Sequence, residues 1–403
     1  MAVTDVFSTL ADGGAVSRTL KAAATSARNK ANGTPLGSAM THSWLFTGPP
    51  GSGRSNAAVA FAQALVCTHP DTIGCGECEA CRHTASNSHP DVTRIIPQEL
   101  SIAVDAMRTV ITEAAKLPSV AQWRVIIIED ADRLTESAAN ALLKTVEEPP
   151  ERTVIILCAP STDPTDIAVT LRSRCRHLYI PTPSTEAVAD LLVRQGIANH
   201  QDALLAAAAT NGHIGRAKRL ATDPKTQNRR ARILNLAELI YHGDAAFQEV
   251  ADIVKAVEAG AKEELAPIEE AEIARLKNAL GHGAKGKGTA RAIGGTKSEI
   301  TDLETKQKRR TTRHIRDSLD LALTDLAGLY RDALITNSGA TSNLTHPDFK
   351  ALSTELATKN TLEQLVACLD AISACRESFG HNVPPRIAMN AMVGRLRKAC
   401  KTS

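Results

Sequence analysis

Ser43-Trp44-Leu45-Phe46-Thr47-Gly48-Pro49-Pro50-Gly51-Ser52-Gly53-Arg54-Ser55 is the stretch on which the fold of this chain turns. Its first five residues are a short apolar run that stops at a glycine, the pattern of a buried parallel strand. The eight residues from Gly48 match G-x-x-x-x-G-K-[ST] everywhere except that Arg54 replaces the lysine. Asn56 to Val66 follows with Ala, Phe and Leu at helical spacing. Strand, glycine-rich loop and helix are the context in which such a loop cradles phosphate. The glycines let backbone N–H groups turn inward, and the helix N-terminus adds its dipole. Gly48, Pro49, Pro50, Gly51, Ser52, Gly53, Arg54 and Ser55 are therefore the candidate site for ATP or ADP, with Ser55 placed for Mg²⁺. A second apparent match, Gly281 to Gly288, lacks the final Ser/Thr, and no strand precedes it. It reads as part of a flexible Gly/Lys/Thr-rich insertion spanning about 281–298.

Outward from the loop, further strands are predicted at Val92 to Ile96, Arg124 to Glu129, Thr153 to Leu157 and His177 to Ile180. Helices are predicted between them at Val104 to Ala115 and Thr135 to Glu148, the latter capped by Thr135 and stopped by Pro149-Pro150. Strands alternating with helices imply an α/β fold, a parallel sheet covered on both faces. Beyond Pro183 the pattern is helical only. The expected organisation is a nucleotide-binding domain at 1–181 with a cysteine module at 67–81, a small helical lid at 182–223, and an all-α region at 224–403. A chain of 403 residues suits two or three such domains.

The composition, 43% hydrophobic and 3% aromatic, favours helices packed through Ala, Leu and Val. A net charge of +3 gives no bulk excess, so any nucleic-acid contact needs a local patch. Lys306, Lys308, Arg309 and Arg310 read as a solvated helix face. The N-terminal residues lack the basic and apolar regions of a signal peptide, and no stretch approaches 20 apolar residues. A cytoplasmic protein without a membrane segment is expected.

Three further features carry chemistry. Cys67, Cys75, Cys78 and Cys81 fall within fifteen residues. Each x₂ spacing lets two thiolates converge on one ion, and four close a tetrahedral sphere, so the expectation is structural Zn²⁺. The strand from Arg124 ends in Glu129-Asp130-Ala131-Asp132, carboxylates placed for Mg²⁺ and for the attacking water. Finally, Ser173-Arg174-Cys175 offers an arginine in a loop, suited to stabilising phosphate charge on a neighbouring molecule.

Together these residues resemble the clamp-loader branch of the AAA+ ATPases. The resemblance rests on Gly48 to Ser55, the four cysteines, Ser88-His-Pro-Asp91, Ala138 to Pro149, and Thr170-Leu-Arg-Ser-Arg-Cys175. It covers most of residues 1–220. It implies a nucleotide-binding domain, a helical lid and a C-terminal helical collar closing a five-subunit ring. It also implies that Arg174 is an arginine finger in trans and that Arg216 is the second sensor arginine. Ser161 or Thr162 would lie in the first sensor region. The implied partners are the other clamp-loader subunits (gamma or tau, and delta), the sliding clamp, and primer–template DNA reached through the assembled ring. The family's motor subunits place Asp then Glu at the acidic strand end; this chain has Glu129 then Asp130. With Arg54 for lysine, that order favours a ring subunit of a DNA polymerase holoenzyme that helps load the clamp without turnover of its own. The competing reading is an ATP-hydrolysing motor subunit of gamma or tau type.

Overall fold

The computed structural model describes residues 5–10, 14–31, 37–97, 99, 101–279, 289–381 and 383–401. The chain divides into two compact units, 1–221 and 222–403. The first contains, in order, α1 (Ala15–Ala31), β1 (Ser43–Thr47), α2 (Arg54–Val66), α3 (Glu79–Ala85), β2 (Val92–Ile95), α4 (Val104–Ala114), β3 (Arg124–Ile128), α5 (Glu136–Glu147), β4 (Thr153–Ala159), α6 (Val169–Arg172) and β5 (Arg176–Tyr179). The strands form a five-stranded sheet in the order β2-β3-β4-β1-β5. Every neighbouring pair is parallel.

The β-branched run of β3 is explained by burial on both sides, since successive side chains point to opposite faces of a strand. Trp44, Phe46, Val125, Ile127 and Ile156 pack with Leu20 of α1 and Phe61 of α2. Leu45, Ile126, Ile128 and Leu157 pack on the other face with Met107 of α4 and Leu142 of α5. Each fully buried aliphatic side chain of this kind contributes roughly 1.5–3 kcal/mol. Helices fall on opposite faces because the chain first runs from β1 out to the edge strand β2, then works back through β3 and β4. Right-handed crossovers in opposite directions must cover opposite faces. The C-terminal end of β1 lies at that reversal, where open α/β sheets bind ligands.

Three short helices complete the first unit: α7 (Thr185–Arg194), α8 (His200–Ala209) and α9 (Ile214–Thr222). They share a core of their own built on Val188, Leu192, Ala203, Ala206 and Leu220. The second unit is helical: α10 (Pro224–Leu239), α11 (Ala245–Ala279), α12 (Thr289–Ser338), α13 (Lys350–Lys359), α14 (Leu362–Ser378) and α15 (Pro385–Ala399). Leu234, Val250, Leu326, Tyr330, Leu365 and Met392 belong to its core. Thr361 and Gln364 form a reciprocal capping box that starts α14.

The structure differs from the expected insertion at 281–298. α12 already begins at Thr289, so the latter part of that stretch is helical. Extending a helix whose later turns pack in a core costs far less than nucleating one, and that outweighs the local glycines. Residues 280–288, with the second loop-like match, lie outside the described residues, as does Asn382. Among the described residues no helix is long and apolar enough to cross a membrane.

Candidate functional site

The phosphate loop connects β1 to α2, as its sequence requires. The Gly48 N–H donates to the Pro160 carbonyl at 3.2 Å, tying the start of the loop to the end of β4. A Cβ at Gly48 would run into the Ile180 carbonyl, so only glycine fits between the strand ends. Gly51 has φ +91°, and a Cβ there would lie 2.6 Å from Cβ of His213. The loop therefore carries a histidine of the following helical segment directly on its turn. Ser52 is buried, and its Oγ has no hydrogen-bond partner. Ser55 lies in the first turn of α2.

Arg54 curls back over the loop. Its Nη1 donates to the Gly48 carbonyl at 2.7 Å, and its Nη2 lies 3.6 Å from Oδ1 of Asp130. The guanidinium thus bridges the loop and the acidic end of β3. Asp130 adopts a left-handed conformation, φ 47°, and also lies 3.8 Å from Nε of Arg133. Glu129 is buried and paired with Arg94 of β2. Asp132 keeps its carboxyl above the usual range, through burial and the neighbouring charge of Asp130. Among the described residues these carboxylates do not converge as a three-ligand metal group.

The loop before α9 closes over this arrangement. The Arg216 N–H donates to Nδ1 of His213 at 3.4 Å. Burial and the positive charges of Arg216 and Arg54 push the His213 pKa down to about 4, so the ring is neutral at neutral pH. The two candidate sensor residues at the end of β4 have separate tasks. The Ser161 hydroxyl donates to Oδ2 of Asp166 at 2.7 Å, while the Thr162 carbonyl accepts from Arg172 Nη1 at 3.0 Å.

Arg174 is elsewhere. It follows α6 and precedes β5, where Nε lies 3.0 Å from Oε2 of Glu147 and Nη1 donates to the Thr170 carbonyl at 3.1 Å. Its side chain remains 35% exposed. β5 runs parallel to β1 with Trp44 opposite Arg176 and Thr47 opposite Tyr179. A residue two positions before Arg176 therefore lies at the N-terminal edge of the sheet, while the phosphate loop leaves the C-terminal edge. At about 3.3 Å per residue the strand alone separates them by roughly 15 Å.

The four cysteine sulfurs all lie within 4.8 Å of one another, close enough to hold one metal ion. Cys67 is 3.8 Å from Cys75 and 4.0 Å from Cys78. Four thiolates about 2.3 Å from a tetrahedral Zn²⁺ stand about 3.8 Å apart, so the set fits that ion. The module is anchored from below. Arg28 of α1 donates to the Cys67 carbonyl at 3.1 Å and Gln63 of α2 to the Cys81 carbonyl at 2.9 Å. Val6 donates to the Gly74 carbonyl at 2.8 Å.

The structure thus gathers the loop, Glu129, Asp130 and Arg216 into one region and leaves Arg174 and the cysteines outside it. Sequence reasoning missed His213 and Arg94. His213 lies three residues before Arg216, which the sequence had singled out, and that proximity is the signal that was available. Arg94 carries none, because its role depends on β2 pairing with β3.

Residues 36–184 match the family described as DNA polymerase III, delta subunit, and residues 316–389 match its C-terminal domain. Together the two segments cover more than half of the chain. The chain is 30% identical over 210 residues to the DNA polymerase III subunit delta' of Bacillus subtilis, an alignment covering 52% of this chain and 63% of that protein. It is 34% identical over 207 residues to the delta' subunit of Escherichia coli, covering 50% of this chain and 61% of that one. The tau subunit of Bacillus subtilis is 37% identical over 150 residues, 37% of this chain and 26% of tau. The chain spans less than two thirds of the length of these relatives. It belongs to the clamp-loader family of DNA polymerase III.

Proposed function

From that membership we propose that the chain is a ring subunit of delta-prime type, which supplies Arg174 to a neighbouring subunit's ATP and turns over none itself. The observation that carries this reading is the separation of two arginines. Arg54 is folded onto its own loop, while Arg174 is exposed at the opposite end of the sheet. A phosphate-binding lysine reaches out as a point charge, whereas Arg54 uses its planar fork on Gly48 and Asp130. Glu129 is held by Arg94, and Asp130, in the position that would orient water, faces Arg54. For nucleotide to enter this pocket Arg54 must release both partners. Gly48 to Ser55, Arg216 and the Thr162 region then serve as a nucleotide holder at most.

Arg174 in trans has a direct chemical role. Charge developing on the transferred phosphoryl oxygens is stabilised by a guanidinium offered from outside the pocket. Its bond to Glu147 keeps the side chain in one orientation until a subunit docks. On this reading residues 182–223 act as the lid and 224–403 as the collar. The other clamp-loader subunits are the direct partners, with the sliding clamp and primer–template DNA reached through the ring. The cysteine module binds structural Zn²⁺, since four thiolates leave no open position for catalytic water.

The test compares the isolated chain with the chain assembled with its motor and delta-type partners, measuring DNA-stimulated ATP hydrolysis. Isolated wild type should hydrolyse little. Arg174→Ala should lower hydrolysis at the neighbouring subunit's site by roughly a thousandfold or more, the scale of an arginine finger. Rapid hydrolysis by the isolated chain, lost in Asp130→Ala, would overturn the reading in favour of a motor subunit.

A further inference from the structure

The second unit contains a pair of thiols that none of the preceding chemistry uses. Cys368, in α14, is 0% exposed, and Cys400 is the residue that caps the C-terminal end of α15. Their sulfurs lie 3.5 Å apart within the core shared by α10, α12, α14 and α15. Two phenols flank them. Tyr330 is fully buried and its hydroxyl has no hydrogen-bond partner. The Tyr241 hydroxyl donates to Oδ1 of Asn360 at 3.2 Å and accepts from Nδ2 of the same residue at 2.8 Å. Nothing in the packing of a helical core demands two facing thiols, because a pair of alanines or valines would fill such a space.

We propose that Cys368 and Cys400 form a peroxide-oxidisable dithiol, whose disulfide staples α15 to α14. The two sulfurs have unequal roles. Cys400 stands at a helix end, the part of a helix that opens first, whereas Cys368 lies within α14. Either thiol can donate across this contact; with Cys368 as donor, the bond holds the Cys400 pKa down to about 7 against its burial. Cys400 is therefore the attacking thiolate and Cys368 the resolving thiol. In the first step the Cys400 sulfur attacks one oxygen of a hydroperoxide. The S–O bond forms, the O–O bond breaks, and the departing oxyanion takes a proton from water. Sulfur loses two electrons to the peroxide, giving a sulfenic acid. In the second step the Cys368 sulfur attacks the Cys400 sulfur. The S–S bond forms, the S–O bond breaks, and the hydroxyl leaves as water with the Cys368 proton. From 3.5 Å the sulfurs need close by only about 1.5 Å to reach bonding distance.

The experiment uses the full zinc-loaded chain and hydrogen peroxide. After a graded dose, free thiols are alkylated, the chain is digested, and the peptides are mapped by mass spectrometry. The expected product is a linked peptide pair joining Cys368 to Cys400, reversed by dithiothreitol, at doses that leave Cys67, Cys75, Cys78 and Cys81 zinc-bound. In Cys368→Ser the resolving thiol is gone while a donor to Cys400 remains, so a dimedone adduct should accumulate on Cys400. Finding both residues alkylated at doses that already oxidise the zinc cysteines would sink the proposal. So would sulfinic acid on Cys400 of the wild type with no linked pair. Mapping the wild type requires no substitution, so a variant that folds poorly does not blunt the test.

Discussion

Asp91 is a single residue on which a whole connection depends. It is fully buried, and its carboxylate accepts from the backbone N–H groups of Ser119, Val120 and Ala121 at 2.7–2.8 Å and from the Ser119 hydroxyl at 2.9 Å. Arg124 lies 3.1 Å away with 6% of its side chain exposed. Burial alone would raise the Asp91 pKa, but these N–H donors hold it below the usual carboxylate range. Asp91→Ala leaves a buried guanidinium without its counter-charge and several N–H groups without their acceptor, so it should destabilise the first unit by about 3–5 kcal/mol in denaturant unfolding. An unchanged midpoint would show that the loop re-forms its bonds elsewhere. At Gly51 the constraint is steric. Gly51→Ala combines a left-handed φ with a Cβ 2.6 Å from His213, and should cost about 1–3 kcal/mol. The accompanying sign is faster proteolysis of the segment around His213. Glycines and cysteines of the site were legible in the sequence because their spacing is local. Arg94 and His213 were not, because each meets its partner only after distant segments pair.

The cysteine module is decided at the scale of an element. α3 has seven residues, too few to persist alone, and its N-cap is Cys78, whose sulfur accepts from the Cys81 N–H at 3.5 Å. A metal ion held by the proposed ligands would therefore be coupled to formation of this helix. Removing Zn²⁺ by chelation, or Cys75→Ser, should abolish bound zinc measured by atomic emission and expose residues 67–86 to protease, while the sheet survives. Full retention of the ion in Cys75→Ser would show that the ligand set is different. α14 offers a separate test, since Thr361→Ala removes half of its capping box and should cost about 1 kcal/mol. Helix and strand positions in the first unit were readable from periodicity and caps. The start of α12 at Thr289 was not, because glycines and lysines dominate the local composition. Core packing farther along the same helix is what overrides it.

Across the molecule, buried histidines make stability depend on pH. His346 is fully buried, its Nδ1 accepting from Arg230 at 2.8 Å and its Nε2 donating to the Asp325 carbonyl at 2.8 Å. The bond accepted at Nδ1 needs a ring unprotonated there, and burial with the Arg230 charge lowers its pKa. Burial likewise lowers His89 and His213. In the unfolded chain these groups titrate near 6.5, so below that pH the unfolded state binds more protons than the folded one. Their contribution is complete above about pH 6.5 and is lost as the pH falls from there toward the folded values. Each can remove up to about 1.4 kcal/mol per pH unit within its window. Urea unfolding at pH 7 and pH 5 should show the loss, and His346→Asn should shrink it for the second unit. Equal stability at both pH values would contradict this account.

By itself the sequence determined the phosphate-loop domain, the four-thiolate module and the helical second half, because each is written in local spacing: glycines in a turn, paired cysteines, apolar residues at a period of 3.6. It also showed that Arg54 and Glu129-Asp130 depart from a hydrolytic pattern. Only the tertiary structure decided what those departures do. Arg54 reaches Gly48 and Asp130, Glu129 reaches Arg94, and His213 seats on Gly51. The placement of Arg174 at the far edge of the sheet follows from the parallel pairing of β5 with β1. Apart from the local bond of Arg54 to Gly48, these contacts join residues tens of positions apart or more, and the tertiary fold brings them together; no local pattern encodes them.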